Sequence, residues 1–413
     1  MRMTKSLGLN KVKPGQKILA AYGDQDVLIL KNYEVTETKD LERLKKLGVS
    51  RVVVEEKIDK ETVKKVGFIS FNNLRSRMEQ ASTNTEKNEI LYRHTVHNLK
   101  HIFSKVSEHE SVELESLLPF AEELVHQIDN DPVNIAAMTQ LEDYDFDTYR
   151  HSMNVAVLLA LYERRHQFSR ENSVTMALAG FYHDIGKIFI PNELINKAGA
   201  LSSEEYSIVK THPLWGEELL EEMGANELLR QVAREHHERP DGSGYPDGIT
   251  DVSPVSLRAG VFDVYDALVS KRSYKARQAP DHAFKLLYDE FKGWDESREA
   301  LMDLFRFIGI YPVGSLVKLT DGSVGVVNAN HPGRASAPVI SVIVDENGKA
   351  VKNPYLLDLL RTEQQKVLRN GKIYDDSIKI NGSVSIDEVK GISEPEVQNT
   401  FRRLNNHQLF RLQ

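Results

Sequence analysis

The feature that most constrains this chain is a set of ionisable side chains spread through an otherwise apolar, helix-patterned middle segment. The histidines and aspartates concerned are Asp147, His151, His183, Asp184, His212, His236, His237 and Asp263. Burying so many ionisable groups without partners would cost several kcal/mol each. A metal cluster removes that cost, because its ions satisfy the ligands and balance the carboxylates. The sequence therefore predicts a metal centre inside an all-α core.

The spacing of these residues suits such a centre. Asp147 and His151 are four residues apart, so they lie on one face of one helix. The run from 176 to 181 is apolar and would bury His183 and Asp184 at the end of a helix. Singly these signals are weak, because a lone buried histidine is usually only hydrogen-bonded and a His-Asp pair is common. Their density in one core favours metal ligands.

Helix signals surround the remaining candidates. They are the capping box of Ser202 with Glu205 and the first-turn prolines Pro213, Pro254 and Pro280. His236 and His237 end one helix, and Asp263 lies inside the helix that begins near Pro254. We therefore expect the candidates to converge from several helices.

The absence of cysteine narrows the chemistry of the site. The chain contains no Cys, which excludes disulfides, thiolate metal sites and cysteine nucleophiles. A metal would be held by histidine nitrogens and carboxylate oxygens, a ligand set that suits Fe, Mn, Ni or Zn.

Charge and hydropathy restrict the partners and the location. The 413 residues have a formal net charge of −8, which does not favour binding to DNA or RNA polymers. No stretch approaches 18 uninterrupted apolar residues, and the N-terminus has no apolar run, so neither a membrane span nor a signal peptide is predicted. We expect a cytoplasmic protein.

Five segments are predicted along the chain. They are a small α/β regulatory domain at 1–72, a helical linker at 73–140, the helical core at 141–311, a small β appendage at 312–375 and a polar tail at 376–413. His94, His97 and His101 share one face of the linker, which indicates either a metal or haem site or, as the favoured interpretation, a histidine-rich polar face. A homodimer through residues 73–130 is a further hypothesis.

Strand signals occur at both ends of the chain. Residues 27–30 and 51–54 are typical of strands, with a helix between them that begins at Thr38. Asp321 and Gly322 separate two apolar runs and predict a hairpin, with a third strand at 339–344. The fold class is therefore mainly α, with a small α/β unit before the helical core and a small β unit after it.

The motifs of the core resemble those of the HD-GYP family, a branch of the HD superfamily of metal-dependent phosphohydrolases. The matching segments are His151-Ser152, the HD motif at Tyr182–Lys187, His212-Pro213, the signature segment from His236 to Gly248 with Gly244-Tyr245-Pro246, and the last motif from Asp263 to Arg272. The resemblance covers about 145 to 315. Departures include Phe181-Tyr182 before the HD motif and Phe262 before Asp263, which change packing and not ligands.

The resemblance implies two or three divalent metal ions, iron or manganese by preference. One ion would be held by His151, His183, Asp184 and Asp263, and a second by Asp184, His212, His236 and His237. Asp147 stands where some members have a glutamate that supports a third ion. The shorter reach of an aspartate leaves the third ion open, the alternative being an ordinary aspartate in a first helical turn.

Further residues are matched to roles in catalysis and substrate binding. Asp184 and His183 are the expected catalytic metal ligands, and Lys187, one turn later, would contact the scissile phosphate or the nucleophile. Arg272 and Lys275 match phosphate-binding positions, although basic residues are also common at helix ends. Tyr245 would border the substrate or merely pack within a glycine-rich loop.

Asp266 is expected to contact the substrate or to orient a ligand. The loop that carries Tyr245 is expected to contact a protein partner in members of the family.

The function implied is hydrolysis of cyclic di-GMP to linear pGpG, and further to GMP as an open point, by a hydroxide that bridges two metals. Two alternatives remain: a catalytically weak receptor for cyclic di-GMP, and a hydrolase of another cyclic dinucleotide such as cyclic GMP-AMP. None of the seven core ligands is missing, which favours an enzyme over a receptor.

Overall fold

The structure is a computed structural model of the 413-residue chain. It describes residues 2–9, 12, 17–23, 28–34, 38–46, 49–57, 67–108, 110–139, 147–197, 199–269, 280–331, 333–362, 366–369, 372–375, 378–384 and 388–389.

The N-terminal unit is a four-stranded antiparallel sheet with one helix. Its elements are β1 (Arg2–Gly8), β2 (Lys17–Gly23), β3 (Leu28–Glu34), α1 (Thr38–Lys46) and β4 (Val49–Lys57). The strand order is β1-β4-β2-β3, so β4, the last strand in sequence, lies in the interior of the sheet. The two predicted strands fall within β3 and β4, and the predicted helix is α1. Strands β1 and β2 were not predicted: Lys5 and Ser6 interrupt the apolar residues of β1, whereas β2 contains an apolar run from Ile18 to Tyr22.

Four helices follow: α2 (Phe71–Gln80), α3 (Asn84–Ser107), α4 (Leu118–Asn130) and α5 (Pro132–Met138), with a 3₁₀ turn at Leu114–Leu117. Their apolar faces, including Leu91, Leu99 and Phe120, are buried in the same hydrophobic core as the helices that come after them. Helices α3 and α4 pack on the first helix of the central segment. The segment predicted as a linker is therefore helical, and it contributes to the central core instead of projecting from it.

The histidines of the linker face make local contacts. The His94 ring bonds the Ile90 carbonyl oxygen at 2.7 Å through Nδ1, and His97 Nε2 lies 2.8 Å from the Gly67 carbonyl oxygen. The His101 ring packs on the Phe68 ring, with centroids 5.9 Å apart. These contacts tie α3 to the segment that enters it and agree with the favoured interpretation of a polar face.

The described parts of the central segment consist of helices and loops and contain no strand. Its helices are α6 (Asp147–Arg165), α7 (Arg170–Tyr182), α8 (Asn192–Ile195), α9 (Ser203–Val209), α10 (His212–Glu222), α11 (Glu227–Glu235), α12 (Pro254–Val269), α13 (Pro280–Phe291) and α14 (Asp295–Ile308), with a second 3₁₀ turn at Ile185–Phe189. The capping box of Ser202 with Glu205 is confirmed. The first-turn prolines of α10, α12 and α13 are confirmed as well.

Two close approaches fix the helices around the candidate site. A Cβ at Gly180 would collide with the Ala156 backbone, so α7 lies directly against α6. A Cβ at Gly186 would collide with the His212 carbonyl oxygen and the Gly216 nitrogen, so the 3₁₀ turn lies directly against the start of α10. Only glycine permits such backbone contact. The second approach holds Asp184, just before the turn, next to His212.

A five-stranded antiparallel sheet follows the helices. Its strands are β5 (Leu316–Leu319), β6 (Val324–His331), β7 (Arg334–Val344), β8 (Ala350–Asp358) and β11 (Ile380–Ser383), in the order β11-β5-β6-β7-β8. Between them come α15 (Leu359–Thr362) and the hairpin of β9 (Lys366–Arg369) and β10 (Lys372–Asp375). The hairpin at Asp321-Gly322 and the strand at 339–344 are confirmed. The segment predicted as a polar tail supplies β11, and its residues 390–413 lie outside the described ranges.

The mainly α fold class is thus confirmed, with the two smaller units on either side. Within the described ranges, no helix has the length and apolar character needed to cross a bilayer.

Candidate metal centre

Seven of the predicted ligands converge at the ends of helices and inside two of them. His151 lies in α6, His183 follows α7, Asp184 precedes the 3₁₀ turn, His212 opens α10, His236 and His237 follow α11, and Asp263 lies in α12. The chain separation between the first and last of them is large, so only tertiary packing can bring them together.

These side chains form two groups, each suited to one divalent ion. The first group is His151, His183, Asp184 and Asp263, and the second is Asp184, His212, His236 and His237. In each group, one ligand atom from every residue lies within 4.8 Å of the others. Asp184 belongs to both groups, so its carboxylate is placed to bind one ion in each group.

The two oxygens of Asp184 face different groups. Oδ2 lies 3.4 Å from His183 Nε2 and 3.7 Å from His151 Nε2, on the side of the first group. Oδ1 lies 3.2 Å from His212 Nε2 and 3.7 Å from His236 Nε2, on the side of the second. This is the arrangement required of a carboxylate that bridges two ions.

Backbone carbonyls orient three of the histidines. The Nδ1 atoms of His183, His212 and His236 lie 2.8 to 3.0 Å from carbonyl oxygens three or four residues earlier in the chain. With Nδ1–H donating to the carbonyl, Nε2 is the free ligand atom and points into the centre. Because these residues lie at helix ends, the last carbonyls of α7 and α11 are satisfied by the same contacts.

His151 is oriented by side chains instead. Its Nδ1 lies 2.7 Å from Asp266 Oδ2, and its Nε2 lies 2.8 Å from Asp263 Oδ1. Asn154 donates to Asp266 Oδ1 at 2.7 Å, and Tyr92 OH donates to Asn154 Oδ1 at 2.5 Å. This buried chain of hydrogen bonds runs from α3 to the first group and fixes the His151 ring.

Two residues of this network were missed by sequence reasoning. Asn154 lies one turn after His151 and shares its helical face, a signal that the sequence offers. Tyr92 lies far away in the segment predicted as a linker, and only the packing of α3 on α6 connects it to the site. Asp266 is 1% exposed, so its position favours the orientation of His151 over contact with a substrate.

The electrostatics of the two groups differ. Burial lowers the pKa of His151, but the hydrogen bonds to Asp263 and Asp266 outweigh that effect and raise it to about 9. Burial, followed by the charge of His183, lowers the pKa of His236 to about 3. Burial and then His236 also lower the pKa of His237. Without an ion, His151 is therefore protonated near neutral pH, whereas His236 and His237 are neutral.

The carboxylates are held in the ionised form. Burial acts to raise the pKa of Asp184, but the Lys187 ammonium, His183 and His212 hold it well below its usual range. The pKa of Asp263 is lowered in the same way, since the hydrogen bond with His151 and the nearby His183 ring outweigh its burial. Both carboxylates are thus in the state that binds cations.

Two atoms at the centre favour a metal over a purely hydrogen-bonded cluster. His183 Nε2 and Asp184 Oδ1 are buried and have no hydrogen-bond partner within the described part of the chain. Leaving such atoms unsatisfied costs free energy, and a divalent ion would satisfy both. The donor set of imidazoles and carboxylates suits that role. The described residues therefore fit divalent metal binding.

Two further candidates lie beside the groups. Lys187 contacts Asp184 Oδ2 through its ammonium and is 18% exposed in its side chain, so it reaches from the centre towards solvent. Tyr245 stacks on the His237 ring, with centroids 4.5 Å apart and an angle of 26° between the rings. Glu238 accepts hydrogen bonds from the backbone nitrogens of Asp247 and Gly248, which anchors the loop that carries Tyr245.

Three predicted site residues cannot be placed with the others. Arg272 and Lys275 lie outside the described residues. Asp147 is the first residue of α6, one turn before His151, but its side chain is not among those described.

Two segments of the chain match known family models. Residues 135–295 match the family model described as HD domain, and residues 316–372 match the KOW domain associated with HD domain.

Curated relatives match part of the chain. The chain is 32% identical over 236 residues to cyclic di-GMP phosphodiesterase PA4108 of Pseudomonas aeruginosa, covering 56% of each chain. It is 42% identical over 126 residues to the cyclic di-GMP phosphodiesterase response regulator RpfG of Xanthomonas campestris, covering 29% of this chain and 33% of the relative. It is 32% identical over 142 residues to 3'3'-cGAMP-specific phosphodiesterase 3 of Vibrio cholerae, covering 34% and 31%.

The chain thus spans between about a third and just over half of the length of these relatives. The segment that matches the HD domain model contains both ligand groups and the Gly-Tyr-Pro loop beside them. Residues 135–295 are therefore similar to HD domains.

Proposed function

We propose that this chain is a metal-dependent phosphodiesterase that hydrolyses cyclic di-GMP to linear pGpG. The observation that carries the proposal is the Asp184 carboxylate, whose two oxygens face two complete ligand groups. The relatives indicate the substrate class, since PA4108 and RpfG are both cyclic di-GMP phosphodiesterases. The extent of hydrolysis beyond pGpG is left to product analysis.

Two divalent ions would be held by the two groups, with iron or manganese favoured by the sulfur-free ligand set and the family resemblance. When bound, such ions provide a strong nucleophile from water near neutral pH and neutralise charge on a phosphodiester. Asp147, one helical turn before His151, is proposed as a contributor to a third ion.

The protein's own side chains would bind and orient the substrate. Lys187 lies at the edge of the centre and would donate a hydrogen bond to a non-bridging oxygen of the scissile phosphate. In our proposal Arg272 and Lys275 bind phosphate as well. The Asp266–Asn154–Tyr92 chain would keep His151 in one orientation, and the stacked Tyr245 ring would shield one side of His237 from water.

A second candidate substrate is supported by a specific observation. The relatives include 3'3'-cGAMP-specific phosphodiesterase 3 at an identity equal to that of PA4108, over a shorter segment. Cyclic GMP-AMP is therefore the alternative substrate. A receptor without catalysis is disfavoured, because both ligand groups are complete. The homodimer, the protein partner of the Tyr245 loop and the cytoplasmic location remain predictions.

The test is hydrolysis by anaerobically purified protein loaded with Fe(II) or Mn(II). Cyclic di-GMP and cyclic GMP-AMP are each supplied to the wild type and to a His183→Ala, Asp184→Ala variant, and the products are separated by chromatography. The proposal expects pGpG from the wild type and none from the variant. Cleavage of cyclic GMP-AMP with cyclic di-GMP left intact would favour the alternative. Binding of cyclic di-GMP without turnover by metal-loaded protein would favour the receptor.

A further inference from the structure

A tyrosine on α9 and the lysine that follows this helix form a pair next to the candidate metal centre. The Lys210 ammonium lies 4.8 Å from the centre of the Tyr206 ring and 5.2 Å from the centre of the Tyr245 ring. The Tyr206 and Tyr245 rings meet edge to face, with centroids 6.2 Å apart. Because Tyr245 stacks on His237, the pair is one ring removed from a ligand of the second group.

The pair lies on the side of the centre that solvent can reach. The side chains of His183, Asp184, His212 and His236 are at most 1% exposed, whereas that of His237 is 14% exposed. A substrate therefore approaches past His237, where Tyr245 and the pair are found. Tyr206 is 44% exposed, which leaves part of its ring open to a ligand.

The charge of Lys210 has no carboxylate partner among the described residues. Lys197, in contrast, forms an ion pair with Glu205 of α9. The Lys210 ammonium lies instead over two aromatic faces, a cation–π contact. The ammonium thus has hydrogen-bond donors left for an incoming acceptor.

We infer that Tyr206 and Lys210 form a guanine-binding subsite of the proposed phosphodiesterase, an inference that rests on the proposed function. Any purine can stack on an exposed aromatic ring, whatever hydrogen-bonding groups the edge of the base carries. A lysine donates to O6 and N7 of guanine, whereas adenine presents an amino group in place of O6. The pair therefore stacks a purine and prefers guanine, so the base at this subsite is a guanine and not an adenine.

The proposal is tested with Lys210→Met and Tyr206→Ala, each with a matched control on the C-terminal sheet. Lys349 and Tyr355 are exposed there, and Lys349→Met and Tyr355→Ala are the controls. KM is measured for cyclic di-GMP and for bis(p-nitrophenyl) phosphate, which has one phosphodiester and no nucleobase. Cyclic di-AMP is measured as a substrate or, where it is not cleaved, as a competitive inhibitor. Calorimetric binding of cyclic di-GMP is recorded for every variant.

In both variants, KM for cyclic di-GMP is expected to rise about ten-fold and the calorimetric affinity to fall about ten-fold, as the loss of a stacking or base-edge contact implies. Hydrolysis of bis(p-nitrophenyl) phosphate and metal content should change less than two-fold. Lys210→Met should also reduce the preference for cyclic di-GMP over cyclic di-AMP, and Lys210→Arg should restore most of it.

Three results would overturn the subsite. One is an unchanged affinity for cyclic di-GMP in both variants. Another is an equal loss with bis(p-nitrophenyl) phosphate, which would mean a structural role. A third is an equal loss with cyclic di-GMP and cyclic di-AMP in Lys210→Met, which would mean a phosphate contact. A wild type that binds cyclic di-GMP without cleaving it would defeat the proposed reaction, while the calorimetric comparison would still decide the subsite.

Discussion

The two ligand groups share Asp184 but are built in different ways. In the first group, His151 is held by the carboxylates of Asp263 and Asp266. In the second group, His212 and His236 are held by backbone carbonyls at helix ends. Charged side chains orient His151 in the first group, whereas backbone carbonyls orient His183 of that group and both His212 and His236 of the second.

The difference has a consequence for metal binding. The carboxylates raise the pKa of His151 to about 9, so this ligand is protonated near neutral pH when no ion is bound. Burial lowers the pKa of His236 to about 3, so this ligand is neutral at the same pH. An ion that enters the first group must displace a proton, whereas an ion that enters the second group finds a deprotonated ligand.

The largest effect that separates the groups is expected from Asp266→Asn. The change removes the negative charge of Asp266, which orients the His151 ring and raises the pKa of His151. Loss of such a partner typically weakens metal affinity about 10–100-fold. Mn(II) affinity is measured by electron paramagnetic resonance in a His236→Ala background, which leaves the first group intact, and in a His151→Ala background, which leaves the second.

The loss should occur only where the first group is intact. Asp303→Asn is the matched control, since Asp303 contacts His166 at 2.7 Å far from the ligands. An equal loss of affinity in both backgrounds would remove the distinction between the groups.

The second effect is the pH dependence of the same affinities. A folded pKa of about 9 for His151 means that protons compete with the ion below that pH, so affinity at the first group should fall up to about ten-fold per pH unit as pH decreases. At the second group, a pKa of about 3 for His236 predicts little change near neutral pH.

The measurement repeats the Mn(II) titrations in the two backgrounds between about pH 6.5 and 8.5. Parallel slopes in the two backgrounds would show that the protonation of His151 does not control entry of the ion.

The smallest effect is expected from Glu238→Gln. The Glu238 carboxylate accepts from the backbone nitrogens of Asp247 and Gly248 at 2.6 and 3.1 Å. A neutral amide keeps the shape but weakens both bonds, since charged acceptors bind about twice as strongly. Because the loop positions Tyr245 on His237, KM for cyclic di-GMP should rise a few-fold while the bound metal is retained.

Glu290→Gln serves as the control, because Glu290 pairs with Arg239 near the same loop but contacts none of its nitrogens. Loss of metal from Glu238→Gln would mean that the loop supports the second group directly.

The candidate ligands could be predicted from sequence because each is marked by a signal in the residues directly around it. Asp184 follows His183 directly, and both come after an apolar run that ends α7. The same holds for His236 and for the hairpin at Asp321-Gly322, each of which is marked by a helix end or a turn signal. The type of element and the residue at its end were therefore accessible without the structure.

The support of the site could not be predicted in the same way. Tyr92 reaches Asn154 across 62 positions of the chain, and nothing near Tyr92 in sequence marks that contact. The segment around it looks polar because only one face of α3 is apolar, so its packing on α6 was not foreseen. The stacking of Tyr245 on His237 likewise depends on the path of a loop.

The central claim is that Asp184 bridges two ions, and its most direct test is the metal content and magnetic coupling of Mn(II)-loaded protein. The wild type should hold at least two ions per chain by elemental analysis and give the electron paramagnetic resonance signal of a coupled pair. Asp184→Asn should lose that coupling while the fold is retained. A wild type with a single ion per chain, or an Asp184→Asn variant with an intact coupled pair, would contradict the account.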